Sequence, residues 1–79
     1  MLPINEKVIS IIRDNIDYQG EIYLNDNLYE DLEIDSFEKL MIINALEDEF
    51  SLEIDEEVIM SLSTISDVVE NLKQVLNLQ

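Results

Sequence analysis

A single glycine, Gly20, and a single proline, Pro3, punctuate the whole 79-residue chain. A sheet protein of this length needs several tight turns, and tight turns draw on glycine and proline, so the chain is restricted to a mostly helical domain. Hydrophobic periodicity agrees. Ile4, Val8, Ile9, Ile11, Ile12 and Ile16 recur at helical spacing with Glu6, Lys7, Arg13 and Asp14 between them, which predicts a first helix over about residues 3 to 16, Pro3 in its first turn. Isoleucine favours strands slightly, but spacing and packing override so small a preference.

The second helix is the clearest. Phe37, Leu40, Met41, Ile43, Leu46 and Phe50 repeat at three and four; Asp35 is a natural N-cap, Glu38 completes a capping-box pair, and Ser36 takes the first helical position. Asp55-Glu56-Glu57 ahead of Val58, Ile59, Met60 and Leu62 predicts a short third helix with acids at its positive end. Thr64 and Asp67 cap a fourth, with Ile65, Val68, Val69, Leu72, Val75 and Leu76 as its apolar positions. Between helices 1 and 2 the pattern dissolves over residues 17 to 35. A loop this long inside a small domain is either functional or pinned down, and its scattered Ile22, Tyr23, Leu24, Leu28, Tyr29, Leu32 and Ile34 are expected to pin it to the core, with a helical turn near Leu28 to Leu32. The expected fold is all-α, a single domain over residues 1–79: a small four-helix bundle, three longer helices and one short, with a long loop between the first two. Its core is expected to contain Phe37, Leu40, Met41, Leu46, Phe50, Ile54, Ile59, Leu62, Ile65, Val68, Val69 and Leu72.

Four Lys/Arg against nineteen Asp/Glu leave a formal net charge of −15. Such a surface repels phosphate backbones and anionic lipid, which excludes nucleic-acid and membrane-surface binding and favours basic protein partners or cations. With 47% apolar residues the chain is too hydrophobic and too periodic for a disordered acidic tail. Residues 1 to 6 lack the basic and apolar runs of a secretory leader, and no segment approaches the apolar length of a membrane span. A cytoplasmic monomer without membrane insertion is expected.

The absence of histidine and cysteine removes imidazole mechanisms, thiol nucleophiles, disulfides and the usual zinc sites. Lys7, Lys39 and Lys73 have carboxylates nearby in sequence and read as solvated partners, not as bases for a serine nucleophile. No catalytic residue and no metal site is assigned. Asn15, Asp17, Gln19, Gly20, Ile22 and Asp26 do fall on an EF-hand frame, but the leading acid and the terminal glutamate are both replaced, and a loop of Asx turns explains the string better. Ser36 is different. A serine in the first turn of a helix, behind an aspartate cap, is exposed and close to backbone N–H groups that accommodate an attached phosphate.

The string Leu28-Tyr29-Glu30-Asp31-Leu32-Glu33-Ile34-Asp35-Ser36-Phe37, then Ala45-Leu46-Glu47-Asp48-Glu49-Phe50, Ile54-Asp55-Glu56-Glu57 and Ser63-Thr64-Ile65-Ser66-Asp67-Val68, resembles the acyl carrier protein family over about residues 4 to 76. The resemblance implies that Ser36 receives 4′-phosphopantetheine from coenzyme A through a phosphopantetheinyl transferase, with Asp35 orienting that enzyme and its magnesium. The arm's thiol would carry acyl groups as thioesters, so the chain would be a carrier and not an enzyme. Helix 2 would be the recognition helix, its Glu38, Glu47, Asp48 and Glu49, together with Glu56 and Glu57, meeting basic patches on acyl-transferring and synthase enzymes of fatty acid, polyketide or related biosynthesis. Phe37, Leu40, Met41, Leu46, Ile54, Ile59 and Leu62 would be candidates for lining an acyl pocket, if the core opens between helices 2 and 3 as it does in fatty-acid carriers. Three positions depart from the family pattern: Glu33 where glycine is common, Phe37 for leucine and Asp55 for proline. They leave room for a specialised carrier serving a polyketide, peptide or surface-polymer pathway. The reading from outside the family is a small acidic interaction or calcium-binding module without a prosthetic group, in which Ser36 is only a helix start.

Overall fold

Strong capping signals and helical periodicity produce four helices and no strand among residues 3–76, the part of the chain that the computed structural model describes. They are α1 (Ile4–Asp14), α2 (Ser36–Phe50), α3 (Glu56–Ser61) and α4 (Ile65–Val75). Met1 and Leu2, part of the segment read for a leader, lie outside the described residues. Among the described residues no helix is long and apolar enough to cross a membrane.

Both predicted capping boxes form. Glu38 N donates to Asp35 Oδ1 at 2.7 Å while Asp35 N donates to the Glu38 carboxylate at 3.3 Å; at α4, Asp67 N donates to Thr64 Oγ1 at 3.1 Å and Thr64 N to Asp67 Oδ2 at 3.1 Å. Each box satisfies N–H groups that a helix start otherwise leaves unpaired. α2 ends at Ser51 in the left-handed conformation, φ 54°, where glycine is the usual residue.

The segment between α1 and α2 is pinned, as its apolar residues require. Leu28, Leu32 and Ile34 are buried. Its backbone is tied to the start of α4: Leu28 N donates to Ser63 O at 2.8 Å, Ser66 N to Leu24 O at 2.8 Å and Ile65 N to Asp26 O at 3.2 Å, around an antiparallel bridge between Asn27 and Thr64. Asn27 Oδ1 accepts from Tyr29 N and Glu30 N, both at 2.9 Å, and Asp31 N closes one helical turn onto Asn27 O. The turn expected at Leu28 to Leu32 is thus a single turn held by an asparagine side chain. Gly20 lies against the Tyr18 ring, in space that a Cβ would share with it.

The core collects Val8 and Ile12 from α1, Ile42, Ile43 and Leu46 from α2, and Ile65, Val68, Val69 and Leu72 from α4, joined by Leu28, Leu32, Ile34, Ile54 and Leu62. α1 packs on both α2 and α4, whereas α3 has no fully buried residue. Three residues expected in the core are on the surface: Phe37 is 70% exposed, Leu40 54% and Met41 43%. Phe50 and Ile59 are half-buried. The reason is rotational. α2 carries apolar residues around most of its circumference, so two stripes compete. The one that faces α1 and the shared core runs through Lys39, Ile42, Ile43 and Leu46, spaced by three, four and seven, and it leaves Phe37 and Met41 with Asn44 and Asp48 on the outer side.

Lys39 is the second correction. It reads as a solvated ion-pair partner, yet it is only 6% exposed, and its ammonium donates to Tyr29 Oη at 2.8 Å and to Leu62 O at 3.0 Å. Lys7 and Lys73 do meet carboxylates, Lys7 with Glu49 at 2.9 Å and Lys73 with Glu70 at 4.0 Å. The cause is again the rotation of α2, which points position 39 inward.

Candidate functional site

Ser36 occupies the first helical position of α2 and is exposed. The flanking Asp35–Glu38 box fixes the backbone on both sides of it, while among the described hydrogen bonds none engages Ser36 Oγ. The hydroxyl is therefore free to be substituted without breaking a contact of the fold. The box consumes the N–H of Glu38 and one Asp35 oxygen; the N–H groups of Ser36 and Phe37 belong to the unpaired first turn, at the positive end of a 15-residue helix, and suit a phosphodiester joined to this serine.

Beside Ser36 lies a groove of about 330 Å³ lined by Tyr29, Ser36, Lys39, Leu40, Ile59 and Met60. Ser36, Lys39 and Leu40 share one side of α2 through their three- and four-residue spacing, α3 forms the opposite wall, and Met60 is 78% exposed at its rim. An apolar groove beside the serine offers a seat to uncharged groups. Of the residues named as acyl-pocket candidates, the structure brings Leu40 and Ile59 to this groove, buries Leu46, Ile54 and Leu62 in the core behind it, and turns Phe37 and Met41 to a separate cleft with Asp14, Asp35 and Glu38.

The six acids expected to meet partners are not equivalent. Glu38 is engaged in the capping box, the Glu47 carboxylate accepts from Ile54 N at 2.8 Å, and Glu49 pairs with Lys7. Asp48, Glu56 and Glu57 are exposed and engage no described side chain. Sequence reasoning missed Lys39 and Tyr29 at the site. The available signal was position: a lysine three residues after Ser36 lies on the serine's side of any helix that starts there.

The EF-hand frame does not assemble. Asn15 Nδ2 donates to Ile11 O at 2.8 Å, Gln19 Nε2 to Asp17 O at 3.0 Å, and Asp26 accepts from Tyr23 N at 2.8 Å. Among the described residues no group of three or more His, Cys, Asp or Glu converges on a metal position.

Comparison with known proteins agrees with this geometry. Residues 6–72 match the family of the phosphopantetheine attachment site. The chain is 37% identical over 65 residues to the acyl carrier proteins of Lactococcus lactis subsp. cremoris (strain MG1363) and subsp. lactis (strain IL1403), covering 82% of this chain and 86% of each relative. A solved structure from Mycobacterium tuberculosis, assigned as an acyl carrier protein, superposes with a TM-score of 0.86 at 26% identity, covering 91% of this chain and 97% of that one. The chain belongs to the phosphopantetheine-binding family of acyl carrier proteins, and is a carrier that works through 4′-phosphopantetheine, not an enzyme.

Proposed function

We propose that Ser36 is the residue that bears the phosphopantetheine arm, attached by a phosphopantetheinyl transferase from coenzyme A, and that residues 1–79 act as one domain presenting the arm's thioester cargo to synthase and acyl-transferring enzymes. The observation that carries this reading is the exposed, unbonded Ser36 hydroxyl between the two halves of the Asp35–Glu38 capping box. The second Asp35 oxygen accepts no described hydrogen bond, and it would face the transferase and its magnesium. Asp48, Glu56 and Glu57 would meet basic patches on partner enzymes, with exposed Leu40, Met41 and Met60 adding apolar contact. Long-range attraction from a charge of −15 gives fast, salt-sensitive and exchangeable association, as a shuttle visiting several enzymes requires. We assign its work to the cytoplasm, where coenzyme A is available, and to a monomer.

The reading is tested with Ser36→Ala. The variant is expected to keep the helical circular dichroism spectrum of the parent and to lose all transfer of phosphopantetheine from coenzyme A. Transfer that survives in a folded Ser36→Ala protein would refute the assignment.

A further inference from the structure

Lys39 carries a buried positive charge with no carboxylate beside it, in a chain with nineteen acids. Its ammonium has three donors. Two are used, on Tyr29 Oη and Leu62 O, and the third has no described partner. The Tyr29 hydroxyl accepts from Lys39, so its own O–H is left to donate; the ammonium also sits 5.0 Å from the Tyr29 ring centre. Each residue thus has a donor that no described protein group takes up, and both line the groove beside Ser36.

The charge of that groove sets it apart. The other described clefts are each lined by carboxylates: Glu33 and Glu38 in one, Glu47 and Asp48 in the next, Asp67 and Glu70 in a third, Asp14 and Asp35 in a fourth. The Ser36 groove has none, and it has a lysine. Among the described clefts it is the one whose lining offers an anion a cation and no carboxylate. The walls supplied by Leu40, Ile59 and Met60 suit a few methylene groups.

Resting on the assignment of the arm to Ser36, we propose that this groove receives a short acyl chain ending in a free carboxylate, and that Lys39 and Tyr29 select it over an alkyl chain of the same length. The arm folds back along α2, its carbon chain lies against Leu40 and Ile59, and the terminal carboxylate accepts from the Lys39 ammonium and the Tyr29 hydroxyl. Charge-assisted bonds are roughly twice as strong as neutral ones. Lys39 then holds cargo at the same time as it ties α2 to the α3–α4 connection.

The test loads Ser36 from glutaryl-coenzyme A and from pentanoyl-coenzyme A, which give arms of equal length with and without a terminal carboxylate, and compares thermal unfolding. The glutaryl form is expected to melt about 4–8 °C above the pentanoyl form, the shift that one hydrogen bond of typical net strength gives in a domain of this size. Lys39→Met is expected to abolish or invert the difference, because without the lysine the added carboxylate meets only the net negative charge of the chain. Tyr29→Phe, which leaves the lysine in place, is expected to reduce it, and serves should Lys39→Met fail to fold. Equal melting of the two loaded wild-type forms, or a difference that Tyr29→Phe and Lys39→Met both leave intact, overturns the selection by Lys39 while leaving Ser36 as the attachment point. Failure of both donors to load Ser36 overturns that assignment and this inference with it.

Discussion

Asp35 and Glu38 each bond the other's backbone N–H, at 3.3 and 2.7 Å, and Ser36 is held between them at the first position of α2. The consequence is a serine whose main chain is fixed and whose hydroxyl is not. Asp35 has two separable roles, cap and carboxylate. Asparagine caps a helix about as well as aspartate, whereas alanine costs about 1 kcal/mol. Asp35→Ala is therefore expected to lower Tm by about 4–8 °C and Asp35→Asn to leave it nearly unchanged. Transferase kinetics on the stable Asp35→Asn protein then isolate the charge: slowed loading supports a role for the carboxylate toward the modifying enzyme, and parental kinetics would reduce Asp35 to a cap.

Two non-glycine residues sit in the left-handed region, Glu33 at φ 56° and Ser51 at φ 54°. A side chain in that conformation costs about 1 kcal/mol relative to glycine. Glu33→Gly and Ser51→Gly are each expected to raise Tm by about 4–8 °C, additively, because the two lie at opposite ends of α2. Calorimetry of the single and double variants decides this, and a drop in Tm for either would show that its side chain contributes more than its backbone strain takes away.

The Asp67 carboxyl is held below the usual carboxylate range, because the backbone N–H groups of Ser63 and Thr64 donate to it. Its folded-state pKa is depressed, so the unfolded chain binds the proton more readily and stability rises with pH through this group. The contribution is present in full above the ordinary aspartate value and is lost as pH falls below it. In a comparison with Asp67→Asn from neutral pH to acid, the parent's advantage is expected to vanish at the acid end; an advantage that persists there would contradict the assignment.

The ion pair between Lys7 and Glu49 is partly exposed on both sides and is worth at most about 1 kcal/mol. Glu49→Gln is expected to alter stability by no more than that, with the effect fading in high salt. Asp48→Asn, Glu56→Gln and Glu57→Gln together are expected to change stability little, since relieved repulsion offsets the lost attraction of Glu56 and Glu57 to the positive end of α3, and to slow association with the transferase by lowering kon at low salt. A triple variant that associates as fast as the parent would move the docking surface elsewhere.

Helix existence, both capping boxes and the exposed serine were legible because they are local: Asp35 with Glu38 and Thr64 with Asp67 are fixed by three-residue spacings that need no tertiary partner. The orientation of α2 was not. With Phe37, Leu40, Met41, Ile42, Ile43, Ala45 and Leu46 the helix offers apolar residues to nearly every direction, and only packing against α1 and the 28–34 segment decides that Ile42 and Ile43 go inside while Phe37 goes out. Lys39 was misread for a related reason. Its partners, Tyr29 and Leu62, are ten and twenty-three residues away and bond through a hydroxyl and a backbone carbonyl, so no charge pattern along the sequence announces them. The family resemblance supplied the role proposed for Ser36, while the unequal use of the six acids is visible only once Glu47 is seen to accept from Ile54 N and Glu49 to meet Lys7.

The central claim is most directly tested by intact-mass measurement of the unmodified chain after incubation with coenzyme A, magnesium and a broad-specificity phosphopantetheinyl transferase, followed by fragmentation to locate the adduct. A single phosphopantetheine on Ser36 is the predicted result. An adduct on another residue, or none with several competent transferases acting on a folded chain, would contradict it.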